Sequence, residues 1–280
     1  MNYHDEIIPI VEQSDKLIKS LFFSISPLYK KDFPAGLDVT IPLFTALHSS
    51  SESILILLIH QSIFDADILL RQVMEGTVKY CYLLIGDEES RKQKHHEYKI
   101  LLSEIDALID HQKAIETIKI LNEFSLNSTK PFDACILSDD EVERLSAKYS
   151  SKRKNELKHK WSYQSILRDL ATTYEEYEAQ LGSLSTYALT SHYCHLDWTG
   201  VSSIQEQILT SPDGSNTIFD VGHALRILSN VLSFYLFRIT EYMRGNYWSK
   251  KETSDLCLKG VQLIRQIDDK GNALISQLNN

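Results

Sequence analysis

Glycine and proline together account for only 16 of the chain's 280 residues, about half their usual share. A fold of many short strands needs a turn former at nearly every reversal, so this chain must cover its length with long helices and few breaks. Apolar residues recur at three- and four-residue intervals almost throughout, and no alternating run of strand length stands out. The expected fold class is therefore all-α: one bundle-like multi-helix domain of eight or nine helices. With 43% hydrophobic and 24% charged residues, the chain can build a sizeable core, which excludes global disorder.

A first helix is expected over residues 5–24, followed by an irregular connection at Pro27, Pro34, Gly36 and Pro42. This gives an N-terminal segment of residues 1–40 and a main helical domain of residues 41–280. Residues 43–85 form an apolar stretch that reads either as two helices or as one bent helix. Gly86 followed by Asp87-Glu88-Glu89 looks like a helix end and the first turn of the next helix. Helix is expected over residues 88–124, with LNSTKPFD as its loop. Ser138-Asp139-Asp140-Glu141 is a capping box that opens a helix running to about Lys160. Thr173-Tyr174-Glu175-Glu176 is a second, opening a helix toward His195 with Gly182 as a point of interruption. Residues 196–216, with the turn Pro212-Asp213-Gly214, are expected to be the longest irregular stretch, and a helical pair over residues 217–278 completes the chain.

The start, MNYHDEIIPIVEQSDK, lacks the basic and apolar regions of a secretory signal, and the uncharged apolar stretches fall short of the roughly 18 residues of a membrane span. Four widely spaced cysteines, Cys81, Cys135, Cys194 and Cys257, argue against a disulfide scaffold and fit a reducing compartment. A cytoplasmic protein with no membrane contact is expected. Neither a Walker A loop nor GxGxxG nor HExxH nor paired ExxH is present, so no metal or cofactor is expected. The net charge of −9 disfavours broad nucleic-acid binding. Residues 148–160 nevertheless carry +5, with Lys152, Arg153 and Lys154 at their centre. That run is either a solvated helix end or a local phosphate-contacting patch.

Two stripes stand out as sources of chemistry. His60, Asp67, Arg71, Glu75 and Lys79 fall along one line at helical spacing, interleaved with Phe64, Ile68, Val78 and Tyr82. Charged groups among large apolar ones become half-buried and need partners. Tyr187, Ser191 and His195 form a second stripe, flanked by His192 and Cys194. A histidine at a helix end is stabilised there when charged, and an imidazole is also the natural general acid or base near neutral pH. The first stripe is thus a structural polar network or a functional site. His195 is a helix-end charge or a catalyst.

The stretch ADILLRQVMEGTVKYCYLL, with Arg71-x3-Glu75, and the later segment containing Trp161 and Tyr187-x3-Ser191-x3-His195 resemble a bacterial family of helical domains of unknown function over about residues 40–200. Where that family has a small residue after its histidine, this chain has Leu196-Asp197-Trp198. A weaker resemblance, Arg91-x4-His96, is to HEPN-type ribonucleases, which cleave RNA without metal at a dimer cleft. Together these resemblances imply a defence- or toxin-associated effector and a homodimer. The expected ligand is RNA, and a regulatory or antitoxin protein is an expected partner. In that reading Arg71, Glu75 and His195 are catalytic, while His60, Asp67, Tyr187, Ser191, His192, Lys152, Arg153 and Lys154 bind substrate. The competing reading is a non-catalytic interaction protein or scaffold, in which the Arg/Glu/His cluster locks helix packing or lines a small-ligand sensor pocket.

Overall fold

The computed structural model describes residues 1–25, 39–124, 130–210, 217–245 and 250–278. Pro27, Pro34, Gly36, residues 126–129 of the expected loop and the turn Pro212-Asp213-Gly214 lie outside these. Every regular element among the described residues is helical. Among the described residues twelve α-helices have nine residues or more, rather than the eight or nine expected, because several long predicted helices are broken.

Packing divides the chain into two compact units, residues 1–85 with 167–280, and residues 86–166. In the first unit, α1 (Tyr3–Ile25), α2 (Thr40–Ile59) and α3 (Ile63–Leu84) pack around α12 (Thr217–Gly245), which also packs on α13 (Lys251–Leu278). Helix α12 is buried along most of its length, from Asp220 and Val221 through Leu228 and Leu232 to Tyr242. Within it Arg238 is fully buried, donating from Nη2 to Ser51 at 3.0 Å and lying 4.6 Å from the Tyr235 ring centroid. Helix α2 is apolar and long enough to cross a membrane by length and composition. Here it buries Phe44, Leu47, Ile54, Leu55 and Leu58 among its neighbours.

The apolar stretch 43–85 is two helices. The break falls at residues 60–62, where Gln61 adopts φ 58° and its amide donates to Asp220 at 2.7 Å. His60 is therefore the exposed C-cap of α2 and does not share the α3 stripe. Pro42 sits in the first turn of α2, where its missing N–H leaves no bond unmade. The rest of the unit comprises a 3₁₀ stretch (Glu175–Gly182), α10 (Ser183–His195) and α11 (Trp198–Thr210). The second expected capping box does not form: Thr173 donates to the Asp169 carbonyl at 3.0 Å instead, and a separate 3₁₀ segment precedes α10. Helix α11 replaces the expected irregular stretch. Asp197 accepts from the Gly200 amide at 3.1 Å, and a Cβ at Gly200 would lie 2.4 Å from the His192 carbonyl oxygen.

The second unit contains α4 (Glu88–His96), a π-helical turn (Glu97–Leu101), α5 (Leu102–Glu123), the single turn α6 (Lys130–Asp133), α7 (Asp139–Lys148) and α8 (Ser151–Lys160). Asp87 caps α4 by accepting from the Ser90 amide, and the Ser138–Glu141 capping box is formed. The helix expected to continue to Lys160 stops at Lys148, and Ser150 caps α8 afresh. Leu101, Ile105, Leu108, Leu145 and Tyr149 make the core of this unit. Trp161 is anchored there, its indole donating to Glu97 at 3.0 Å beside the Tyr98 ring. Helix α9 (Tyr163–Thr173) carries the chain back into the first unit.

Candidate functional site

Helices α3 and α10 run antiparallel, since Tyr193 meets Phe64 near the start of α3 while Tyr187 meets Arg71 and Glu75 further along. Arg71 donates to the Tyr187 carbonyl at 3.1 Å and to its hydroxyl at 3.0 Å, with the guanidinium 3.9 Å from the ring centroid. The same hydroxyl donates to Glu75 at 3.1 Å, and Lys79 donates to the other Glu75 oxygen at 2.7 Å. Partial burial works against the Glu75 charge. Lys79, the Tyr187 hydroxyl and Arg71 outweigh it and hold the carboxyl below its usual range. Burial and the Glu75 charge push the Tyr187 phenol up to about 12.

This cluster unites Arg71, Glu75 and Tyr187 but not His195. Eight residues beyond Tyr187 is roughly 12 Å along a helix. There His195 is exposed and makes no hydrogen bond or ion pair to Arg71 or Glu75. Ser191 is half-buried. His192 is tied by Nδ1 to Asp197 at 2.6 Å. The basic run is largely spent within its own unit: Lys148 pairs with Glu104 at 2.6 Å, Lys158 with Asp106 at 3.1 Å and Lys160 with Glu97 at 2.7 Å. Lys152 stands 3.8 Å from Glu156, while Arg153 and Lys154 have no ion-pair partner among the described residues. In the HEPN-like pair, Arg91 is half-buried and His96 exposed, both on α4.

Asp67 leads elsewhere. It is fully buried and accepts from His223 Nε2 and from Arg226 Nη2, the latter at 2.7 and 2.8 Å to its two oxygens. Both partners lie on α12 and line a groove of about 1210 Å³ bounded by α10, α11, α12 and α13. Its walls include Tyr193, Ile218, Phe219, Leu274 and Ile275, with Glu206 and Asp268 at exposed positions. Arg226 Nη1 is buried without a hydrogen-bond partner, and His223 Nδ1 has none among the described residues. Sequence reasoning missed His223, Arg226 and the two groove glycines, Gly222 and Gly271. The available signal was a His-x2-Arg pair on one face of an otherwise apolar helix.

Fold and site thus define an all-α protein with a polar helix clamp and a separate half-apolar groove. The chain belongs to a family of unknown function, DUF5677, which matches residues 37–209. That span contains Arg71, Glu75, Trp161, Tyr187, Ser191 and His195, and ends before α12. No curated protein and no solved structure matches the chain.

Proposed function

We propose that this chain is a ligand-binding helical protein, in which a small molecule occupies the groove among α10–α13 and the Arg71–Glu75–Tyr187 cluster is a structural clamp. The observation that carries this reading is the state of two groove-lining glycines. A glycine inside a helix costs about 1 kcal/mol relative to alanine, so its presence needs a reason. Gly76 and Gly260 have one, because an added Cβ would meet Leu47 at 2.4 Å and Leu236 at 2.8 Å. At Gly222 and Gly271 nothing lies within 4 Å of that position. Both line the groove, on α12 and α13, and keep it wide for an occupant. Helix α10 supplies Leu189 and Tyr193 to the groove and Tyr187 to the clamp, so occupancy would bear on the element that Arg71 holds.

The test uses Nile red, a neutral dye whose fluorescence rises in apolar sites, with wild type, Gly222→Leu and Gly271→Leu. Wild type is expected to bind, and each leucine to weaken binding by about tenfold or more by filling the groove. Circular dichroism should show helix content unchanged. Dye binding equal in all three proteins would refute the groove as the site. In parallel, EDTA-resistant cleavage of total RNA by wild type, lost in folded His195→Ala, would favour the metal-independent ribonuclease instead. Under the ligand-binding reading no such cleavage is expected.

A further inference from the structure

Resting on that reading, we infer that the groove takes an amphiphile with a single anionic head, a carboxylate set against His223 and Arg226 with its apolar body along Tyr193, Phe219 and Ile275. The inner end of the groove is where polar chemistry is strongest. His223 and Arg226 are 18% and 32% exposed, and both are fixed by the wholly buried Asp67. Three features there favour a negative head. Arg226 spends only Nη2 on Asp67 and leaves Nη1 buried without an acceptor. A donor left in that state costs roughly 1–3 kcal/mol, and a carboxylate against the exposed third of the Arg226 side chain would relieve it once the groups covering Nη1 give way. His223 has its Nε2 occupied by Asp67, which leaves Nδ1 as the ring nitrogen open to a ligand. Finally, Ile218 and Phe219 of the first turn of α12 line the groove, so the positive end of that helix's peptide dipoles lies at the Ile218 end of the wall. Asp220, in the same first turn, is absent from the groove wall and bonds Gln61.

The opposing charges sit further out. Glu206 and Asp268 are exposed, and Asp268 already accepts from Ser229 at 2.6 Å. Water screens them from a head placed at the inner end. Their effect falls on whatever else the ligand carries, so they disfavour a second negative charge. A monoanion with an apolar body satisfies both ends of the groove, whereas a nucleotide or an RNA strand satisfies only one.

The experiment is displacement of Nile red by three ligands of equal chain length below their micelle concentrations: decanoate, decanol and decyltrimethylammonium. Decanoate is expected to bind about tenfold more tightly than the other two, as one hydrogen bond to a charged partner allows. That preference should vanish in Asp67→Asn/Arg226→Gln, which removes the ion pair without stranding one buried charge, while decanol binding stays unchanged. His223→Phe, which leaves the Asp67–Arg226 pair intact, gives an independent reading and should cut the preference for decanoate. Decyl phosphate should bind wild type about tenfold more weakly than decanoate and recover in Glu206→Gln/Asp268→Asn. If all three ligands bind alike, or the cation binds best, the anionic class is overturned. The groove reading then survives provided Gly222→Leu still blocks them. If none displaces the dye from wild type, the anionic-amphiphile class is overturned, while the groove reading still stands or falls with the loss of dye binding in Gly222→Leu.

Discussion

Leu196 ends α10 at φ 48° and ψ 37°, in the left-handed region, with its side chain 65% exposed. A Cβ in that conformation costs roughly 1–2 kcal/mol, which is why glycine is usual one residue past a helix end. Leu196→Gly is expected to stabilise the protein by roughly 0.5–1 kcal/mol, after part of the relief is lost to the freer unfolded chain. Denaturant midpoints would check this, and a lower midpoint would refute it. Glu104 offers a second residue-scale prediction. It accepts from Lys148 at 2.6 Å, Arg144 at 3.3 Å and the Tyr149 hydroxyl. Burial opposes its charge, yet these donors win and hold the carboxyl at about 2 against an ordinary 4.5. A carboxyl depressed by folding contributes fully above its ordinary pKa and loses that contribution as pH falls toward the folded value. Glu104→Gln should therefore destabilise by roughly 1–3 kcal/mol at neutral pH, and the gap to wild type should close between pH 4.5 and about 2. A gap that stayed constant across that window would show the charge to be irrelevant.

Among the elements, α12 and α13 carry the test of the groove that is easiest to make. Gly222→Ala and Gly271→Ala add a methyl group where there is open space, so each should stabilise its helix by about 1 kcal/mol. Thermal unfolding would register the gain, and a loss of stability at either site would mean the space is not open. Local chemistry made other elements legible in the sequence. The helix start after Gly86, the Ser138–Glu141 capping box and the helical pair after residue 217 all depend on residues within a turn of one another. The places where the long helices break were not legible, although residues 43–85 read as two helices or one bent one. Gln61 adopts its left-handed turn with an amide tied to Asp220, 159 positions away. Helix α11 falls within the stretch 196–216 that the sequence presents as irregular. Gly200 permits its close approach to α10. The site divides in the same way. Spacing of four placed Arg71 and Glu75 on one face and Tyr187 on another, and those faces meet. His195 shares the Tyr187 stripe, but two turns of antiparallel helix carry it past the end of the contact. Nothing local could tie Asp67 to a histidine and an arginine more than 150 positions away.

At the scale of the whole molecule, the two units differ in what holds them. The first has α12 buried from Asp220 to Tyr242. The second has a smaller core, with the cluster Leu101, Ile105, Leu108, Leu145 and Tyr149 and buried Trp161, together with the Glu97 and Glu104 networks. Free energies of local opening follow buried apolar contact, so the second unit should open at lower cost than the first. Glu104 also lies next to that small core in sequence, beside Ile105 on α5, and its partners reach it from α7 and from Tyr149. Removing its charge therefore tests whether the division made by packing is also a thermodynamic one. In native-state hydrogen exchange at neutral pH, Glu104→Gln should accelerate amides of α5, α7 and α8. A loss of roughly 1–3 kcal/mol corresponds to about five- to 150-fold faster exchange where opening of this unit governs it. Amides in α3 and α12 should exchange at the wild-type rate, because their opening exposes a different core. Equal acceleration in α3 and α12 would instead mean that both units open as one cooperative block, and the groove's stability would then depend on a carboxylate that belongs to the other unit.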